Sequence, residues 1–134
     1  MIHLDTSFLV DLFREHARAK DGPAHRLLDT LADEELAICV HVACELHAGA
    51  DLSSATAREH ARVDTLCSTL EIVQTDERFP REYGRLLGEL RRRGESIGTM
   101  DLLIATAARV DDARLVTRNV RDFERVPGLQ VVSY

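Results

Sequence analysis

Three acids, Asp5, Glu45 and Asp101, stand far apart in this 134-residue chain, each placed where an apolar segment ends or a helix begins. A spacing that wide serves no local turn, so the three make chemical sense together only if the fold gathers them. Carboxylates gathered at one edge of a sheet suit a hard divalent cation, because Mg2+ and Mn2+ prefer oxygen ligands and retain waters for chemistry. The reaction this points to is metal-dependent hydrolysis of a phosphodiester.

Each acid also has a simpler reading. Asp5, followed by Thr6 and Ser7, is the kind of residue that caps a helix. Asp101 falls in the first turn of an apolar helix, where the macrodipole favours a negative charge by roughly 0.3–1 kcal/mol. Glu45 resists such an account. It lies between Cys44 and Leu46 in an otherwise apolar helix start, and a buried carboxylate without a partner costs several kcal/mol of effective desolvation. A metal ion is a suitable partner.

Positive charge is almost all arginine, with sixteen arginines against the single Lys20. A guanidinium pairs bidentately with phosphate, although compositional bias explains the excess equally well. Arg91, Arg92 and Arg93 form the only run of three basic residues. They are candidates for RNA phosphate contacts, and equally for favourable cations at a helix C-terminus. The formal net charge of −6 argues against a generally basic nucleic-acid binder. The histidines lack HExxH or HxH spacing, so His3, His41 and His47 read as structural or exposed. Cys39, Cys44 and Cys67, odd in number and without CxxC spacing, read as reduced thiols.

The elements that must position these groups follow from hydrophobic periodicity. Short apolar runs at Ile2–Leu4, Leu36–Val40, Glu71–Gln74, Leu115–Thr117 and Leu129–Val132 are predicted strands. Between them the spacing predicts amphipathic helices: one from Thr6, one with Pro23 in its first turn, one from His41 through Gly49, and one ending near Leu70. Later helices are predicted from Phe79 to Arg93, stopped by Gly94, and from Leu102 to Val110, with Thr99 as N-cap. A turn at Asp51–Ser54 separates the third and fourth helices. Alternation of this kind defines an α/β domain with a mainly parallel sheet. In such sheets ligands bind beyond the carboxyl ends of the strands, where Asp5 and the Thr117-Arg118-Asn119 exit both fall.

Length predicts one domain over residues 1–134. No apolar run approaches the ~20 residues a membrane span needs, and the start lacks a signal-peptide pattern, so a cytoplasmic protein is expected. The same acids would also serve a metal-dependent DNA nuclease or another phosphoesterase, and an inactive interaction module could share the scaffold. A signalling receiver is disfavoured because Lys20, the one lysine, falls between the first two helices.

Asp5-Thr6-Ser7, Ala43-Cys44-Glu45-Leu46 with Gly49-Ala50, Ile97-Gly98-Thr99-Met100-Asp101-Leu102-Leu103-Ile104-Ala105, and Leu115-Val116-Thr117-Arg118-Asn119-Val120-Arg121-Asp122-Phe123 together resemble the PIN-domain pattern. Their order and spacing are similar to those of VapC-type toxins of bacterial type II toxin–antitoxin systems, and the similarity covers the whole chain. The resemblance implies a three-layer α/β/α fold with a central, mainly parallel sheet of about five strands. It implies a Mg2+- or Mn2+-dependent endoribonuclease that cleaves tRNA or rRNA and inhibits translation. It also implies a homodimer and a VapB-like antitoxin that blocks the site and binds operator DNA. By matching position, Asp5, Glu45 and Asp101 would bind the metal, with Thr6 and Thr99 as hydroxyl neighbours. Where the family often has a fourth acid, this chain has Asn119, with Asp122 one helical turn on. The fourth catalytic place is open between them, with Asp122 favoured as the charged contributor.

Overall fold

In a computed structural model describing residues 1–134, five short strands alternate with seven helices. The order is β1 (Ile2–Leu4), α1 (Thr6–Ala17), α2 (Pro23–Thr30), β2 (Leu36–Cys39), α3 (Val40–Leu52), α4 (Thr56–Thr69) and β3 (Glu71–Val73). There follow α5 (Phe79–Arg92), α6 (Thr99–Val110), β4 (Arg114–Val116), α7 (Val120–Phe123) and β5 (Val131–Val132). The strands form one sheet in the order β3-β2-β1-β4-β5, and every neighbouring pair is parallel. Register is set at the centre, where His3 pairs with Ala37 on one side and Leu115 on the other.

Burial explains why so short a sheet holds. Ile2, His3 and Leu4 of β1 are all buried, as expected for a central strand with both faces covered. From β1 the chain first builds outward through β2 to β3, then crosses to β4 and β5 on the other side. With right-handed crossovers, α1 to α4 lie over one face and α5 to α7 over the other, giving three layers. Phe8, Leu9, Ile38, Leu86, Leu90, Leu102, Ile104, Leu115 and Phe123 fill the space between them. The edge strands β3 and β5 are only half-buried and very short, which limits the unpaired backbone they offer.

Several boundaries differ from those read off the sequence. Val40 leaves the second strand and opens α3, which continues to Leu52 through the expected turn. The break falls at Ser53, whose hydroxyl accepts from the Ala55 N–H. Helix α6 begins earlier than predicted. Leu102 N–H already donates to the Gly98 carbonyl at 2.9 Å, so Gly98 takes the N-cap place and Thr99 is the first helical residue, not the cap. Gly94 does end α5. Its φ of +68° lets the Glu95 N–H reach back to the Leu90 carbonyl at 2.9 Å, the six-to-one bond of a Schellman turn. No helix is long and apolar enough to cross a membrane.

This topology places the acids. Asp5 follows β1 directly, and Thr117 follows β4, its parallel neighbour. Because α6 returns the chain to the start of β4, its first turn, with Asp101, lies at the opposite, carboxyl edge of the sheet. The β1/β4 boundary is where strand order reverses, the place in open α/β sheets where ligands bind.

Candidate active site

Asp5, Thr6, Ser7, Glu45, Asp101, Arg118 and Asn119 line an open cleft of about 450 Å3 whose wall contains no apolar residue. Asp5 is only 4% exposed, and its carboxylate does not cap α1. Instead Oδ2 accepts two hydroxyls, from Ser7 at 2.8 Å and Thr117 at 2.7 Å. An ionised carboxylate only accepts, so both hydroxyl protons point to Asp5. Each hydroxyl oxygen then accepts a backbone N–H, from Arg118 at 3.0 Å to Ser7 and from Asn119 at 2.9 Å to Thr117. One carboxylate oxygen is thus fixed by β4's exit, and Oδ1 makes no hydrogen bond within the protein.

Glu45 is held in the same half-committed way. Its Oε1 accepts the Thr6 hydroxyl at 2.7 Å, which ties the second turn of α3 to the first residue of α1. Asp101 is half-buried on α6 and accepts no hydrogen bond. Burial, and then the nearby charges of Asp5, Glu45 and Asp122, push its carboxyl up to about 6. Such a rise records a carboxyl partly withdrawn from water and, beyond that, set near other carboxylates.

The other sequence candidates divide. Asn119 lines the cleft, but its side chain makes no capping bond to α7. Its amide donates to Asp122 Oδ2 at 2.9 Å, while Arg125 Nη1 lies 3.3 Å from Oδ1. Asp122 is not among the residues lining the cleft, and its charge reaches Asp101 without a hydrogen bond between them. Thr99 is exposed and faces a separate recess with Tyr83, Leu87 and Arg91. Arg91, Arg92 and Arg93 are exposed at the end of α5, outside the cleft wall, and Arg92 and Arg93 share Glu89 at 3.2 and 3.0 Å. His3 is structural, its Nε2 2.8 Å from Asp111. Reading the acids one by one missed Ser7 and Thr117 as clamps, whereas Arg118 lines the cleft as the Thr117-Arg118-Asn119 exit at the sheet's carboxyl edge implied.

What the cleft can do follows from its donor set. Each acid leaves a carboxylate oxygen free, and oxygen is the ligand that Mg2+ and Mn2+ prefer. No three acids sit close enough to ligate one ion directly. Mg2+ is commonly held through one or two carboxylates while keeping several waters, so this donor set fits such an ion. A recess of about 490 Å3 at the opposite edge, among Glu77, Arg78, Arg81, Glu82 and Arg109, has no comparable excess of one charge. Arg78 pairs with Asp76 at 2.7 Å, and Arg109 lies 3.8 Å from Glu82.

Comparison with known proteins identifies the fold's family. The family model for the PIN domain matches residues 2–129. Ribonuclease VapC2 of Rickettsia felis is 34% identical over 126 residues, covering 94% of this chain and 92% of that protein. The tRNA(fMet)-specific endonuclease VapC of Salmonella typhimurium is 34% identical over 116 residues, covering 86% of this chain and 88% of its own. A crystal structure of VapBC2 from Rickettsia felis bound to a DNA fragment from their promoter superposes with a TM-score of 0.89 at 32% identity, covering 100% of this chain and 99% of that one.

Proposed function

The chain belongs to the PIN domain family, and from that premise we propose that it is a metal-dependent endoribonuclease toxin of the VapC kind, neutralised by a cognate antitoxin. The observation that carries this reading is the polar cleft in which Asp5, Glu45 and Asp101 meet at the strand-order reversal. Relatives called ribonucleases match nearly the whole chain, which supports RNA as substrate, with tRNA or rRNA the expected class. Mg2+ or Mn2+ held in this cleft by one or two of the acids directly, with water bridging to the rest, would lower the pKa of a bound water and offset charge on the phosphoryl oxygens.

The chain's own residues prepare that chemistry. Ser7 and Thr117 hold one oxygen of Asp5 and leave the other toward the cleft. Thr6 orients Glu45. Asp122 adds negative charge behind Asp101, oriented by Asn119. An antitoxin of the VapB kind would set an arginine among these acids, since a guanidinium meets carboxylates in a fork and competes with the cation. The DNA-bound complex of the Rickettsia relative supports an assembly with antitoxin and operator DNA, and a toxin homodimer belongs to the same proposal.

Matched RNA and DNA oligonucleotides incubated with the purified protein, with and without Mg2+ or Mn2+, test the reading. RNA should be cut only with metal, and folded Asp5→Asn and Asp101→Asn variants should be inactive. Cleavage of DNA instead would move the protein to another class of phosphoesterase. No cleavage of either would leave an inactive interaction module.

A further inference from the structure

We propose that Arg118 contacts an RNA phosphate in the cleft, and that Asp11 and Tyr134 hold it at the rim for that purpose. The inference rests on the ribonuclease reading and adds a substrate-binding group to it. Arg118 is the one cation among the residues lining the cleft. Left to itself, a guanidinium beside Asp5, Glu45 and Asp101 would fold in and neutralise them, closing the site to both metal and substrate. Here it is held off by a different acid.

That acid is Asp11 of α1. Arg118 Nη1 donates to Asp11 Oδ1 at 2.6 Å, and the other oxygen, Oδ2, accepts the Tyr134 hydroxyl at 2.6 Å. The Tyr134 ring stands edge-on to the buried Phe8, with centroids 5.1 Å apart. Burial and the Asp11 carboxylate both push the phenol's pKa up, so it remains a donor. Asp11 is thereby fixed between a core-anchored tyrosine and an arginine whose side chain is 55% exposed, against 16% for Asp11 itself. Arg118's backbone is fixed as well, since its N–H donates to the Ser7 hydroxyl that clamps Asp5. Its position is therefore registered to the acid cluster.

The side chain keeps most of its capacity. Of the five N–H donors on a guanidinium, one goes to Asp11 and the rest find no acceptor in the protein. A planar, partly dehydrated fork with free donors, held beside a carboxylate-lined cleft, matches the phosphodiester oxygens of a polynucleotide. An ordinary surface ion pair requires neither a shielded carboxylate nor a tyrosine tether. Arg91, Arg92 and Arg93 have no such fixation.

Single-turnover cleavage of an unstructured RNA oligonucleotide, followed against protein concentration at several salt concentrations, separates binding from chemistry. Arg118→Ala should raise the half-saturating concentration about tenfold, as expected for one charge-assisted hydrogen bond. The log–log salt slope should fall by about 0.7, one phosphate contact on a single strand. The maximal rate should change far less. Arg118→Lys should keep the salt slope and recover part of the affinity. Tyr134→Phe, which keeps the ring on Phe8, should weaken half-saturation in the same direction by a smaller factor, as a positioning residue would. Unchanged half-saturation and slope in a folded Arg118→Ala protein would overturn the proposal, as would a fall in maximal rate alone. If the wild-type protein cuts DNA and not RNA but shows the same dependence on Arg118, the phosphate contact stands and the ribonuclease reading fails. If it cuts neither, both fall together.

Discussion

Replacing Thr117 by valine isolates the device that fixes Asp5. Thr117 is fully buried, and valine preserves its volume and branching while removing one oxygen. Three contacts disappear: the 2.7 Å donation to Asp5 Oδ2, the 2.9 Å bond accepted from Asn119 N–H and the 3.2 Å approach to the Ser7 hydroxyl. A hydrogen bond to a charged group contributes about 1.5–3 kcal/mol and a stranded buried donor costs about 1–3 kcal/mol. The sum is an overestimate here, because Ser7 still donates to Asp5 and the half-buried Asn119 backbone can reach water. The expected destabilisation is about 2–3 kcal/mol, or about 6–12 °C in melting temperature for a domain of this size. If Asp5 binds the metal as proposed, cleavage at low Mg2+ should fall about 10–100-fold, the range for a group that orients a metal ligand, and recover in part as Mg2+ is raised. Thr117→Ser should retain both properties. Thermal unfolding and single-turnover cleavage across a Mg2+ titration measure the two on one sample. A Thr117→Val protein that melts with the wild type and cuts normally at low Mg2+ would refute the clamp.

In metal-free buffer Asp101→Asn should raise the melting temperature, because it removes a charge disfavoured by burial and then by the nearby Asp5, Glu45 and Asp122. A carboxyl raised to about 6 from 3.8 penalises the folded state above pH 3.8 and does so fully above about pH 6. The gain should therefore be largest near neutral pH and vanish as the pH falls toward 3.8, and a gain independent of pH would contradict this penalty. Asp111→Ala should cost about 1–3 kcal/mol by stranding the buried His3 Nε2–H, with cleavage by the folded fraction unchanged. Gly22→Ala would place a Cβ 2.5 Å from the Glu15 carboxylate, which caps α2 by accepting from the N–H groups of Gly22, Ala24 and His25. Melting should drop at pH 7. Burial raises the Glu15 pKa but those donors, with the His25 ring, lower it to about 2 from 4.5, so the drop should shrink as pH falls from 4.5 toward 2.

Apolar patterning made the elements of the fold legible, and local chemistry decided what it did not. Ile2–Leu4 was readable as a central strand because both faces are apolar or paired. His3 fits there since burial lowers its pKa more than Asp111 raises it, leaving a neutral ring that donates to that acid. The cap of α6 was misplaced at Thr99, and its start at Leu102, because a threonine before an apolar run looks like a cap. The backbone instead closes its first turn on the Gly98 carbonyl, without any side-chain cap. Glu15 gave no signal at all. Its role as the cap of α2 comes from the preceding helix across a turn, and nothing in the Gly22-Pro23 sequence announces a donor-hungry helix end served from seven residues upstream.

The acids of the site were legible for a related reason. Glu45 interrupts an apolar helix start, where an acid demands a partner, whereas Asp5 and Asp101 each have a cap or dipole reading and stand out only beside it. Ser7, Thr117, Asp11 and Tyr134 make no such demand, since hydroxyls are common at strand exits and a helical aspartate looks like solvent-facing charge. Apart from the local bond from Ser7 to Asp5, their roles exist only across contacts between α1 or Asp5 and the chain beyond β4, between residues more than a hundred positions apart. Arg91, Arg92 and Arg93 show the converse: a run conspicuous in sequence ends outside the cleft wall, while the isolated Arg118 enters it. Polar groups that act through hydrogen bonds to other side chains become visible only once topology has set their neighbours. In this chain the ligand candidates could be read from the sequence, whereas the groups that aim them could not.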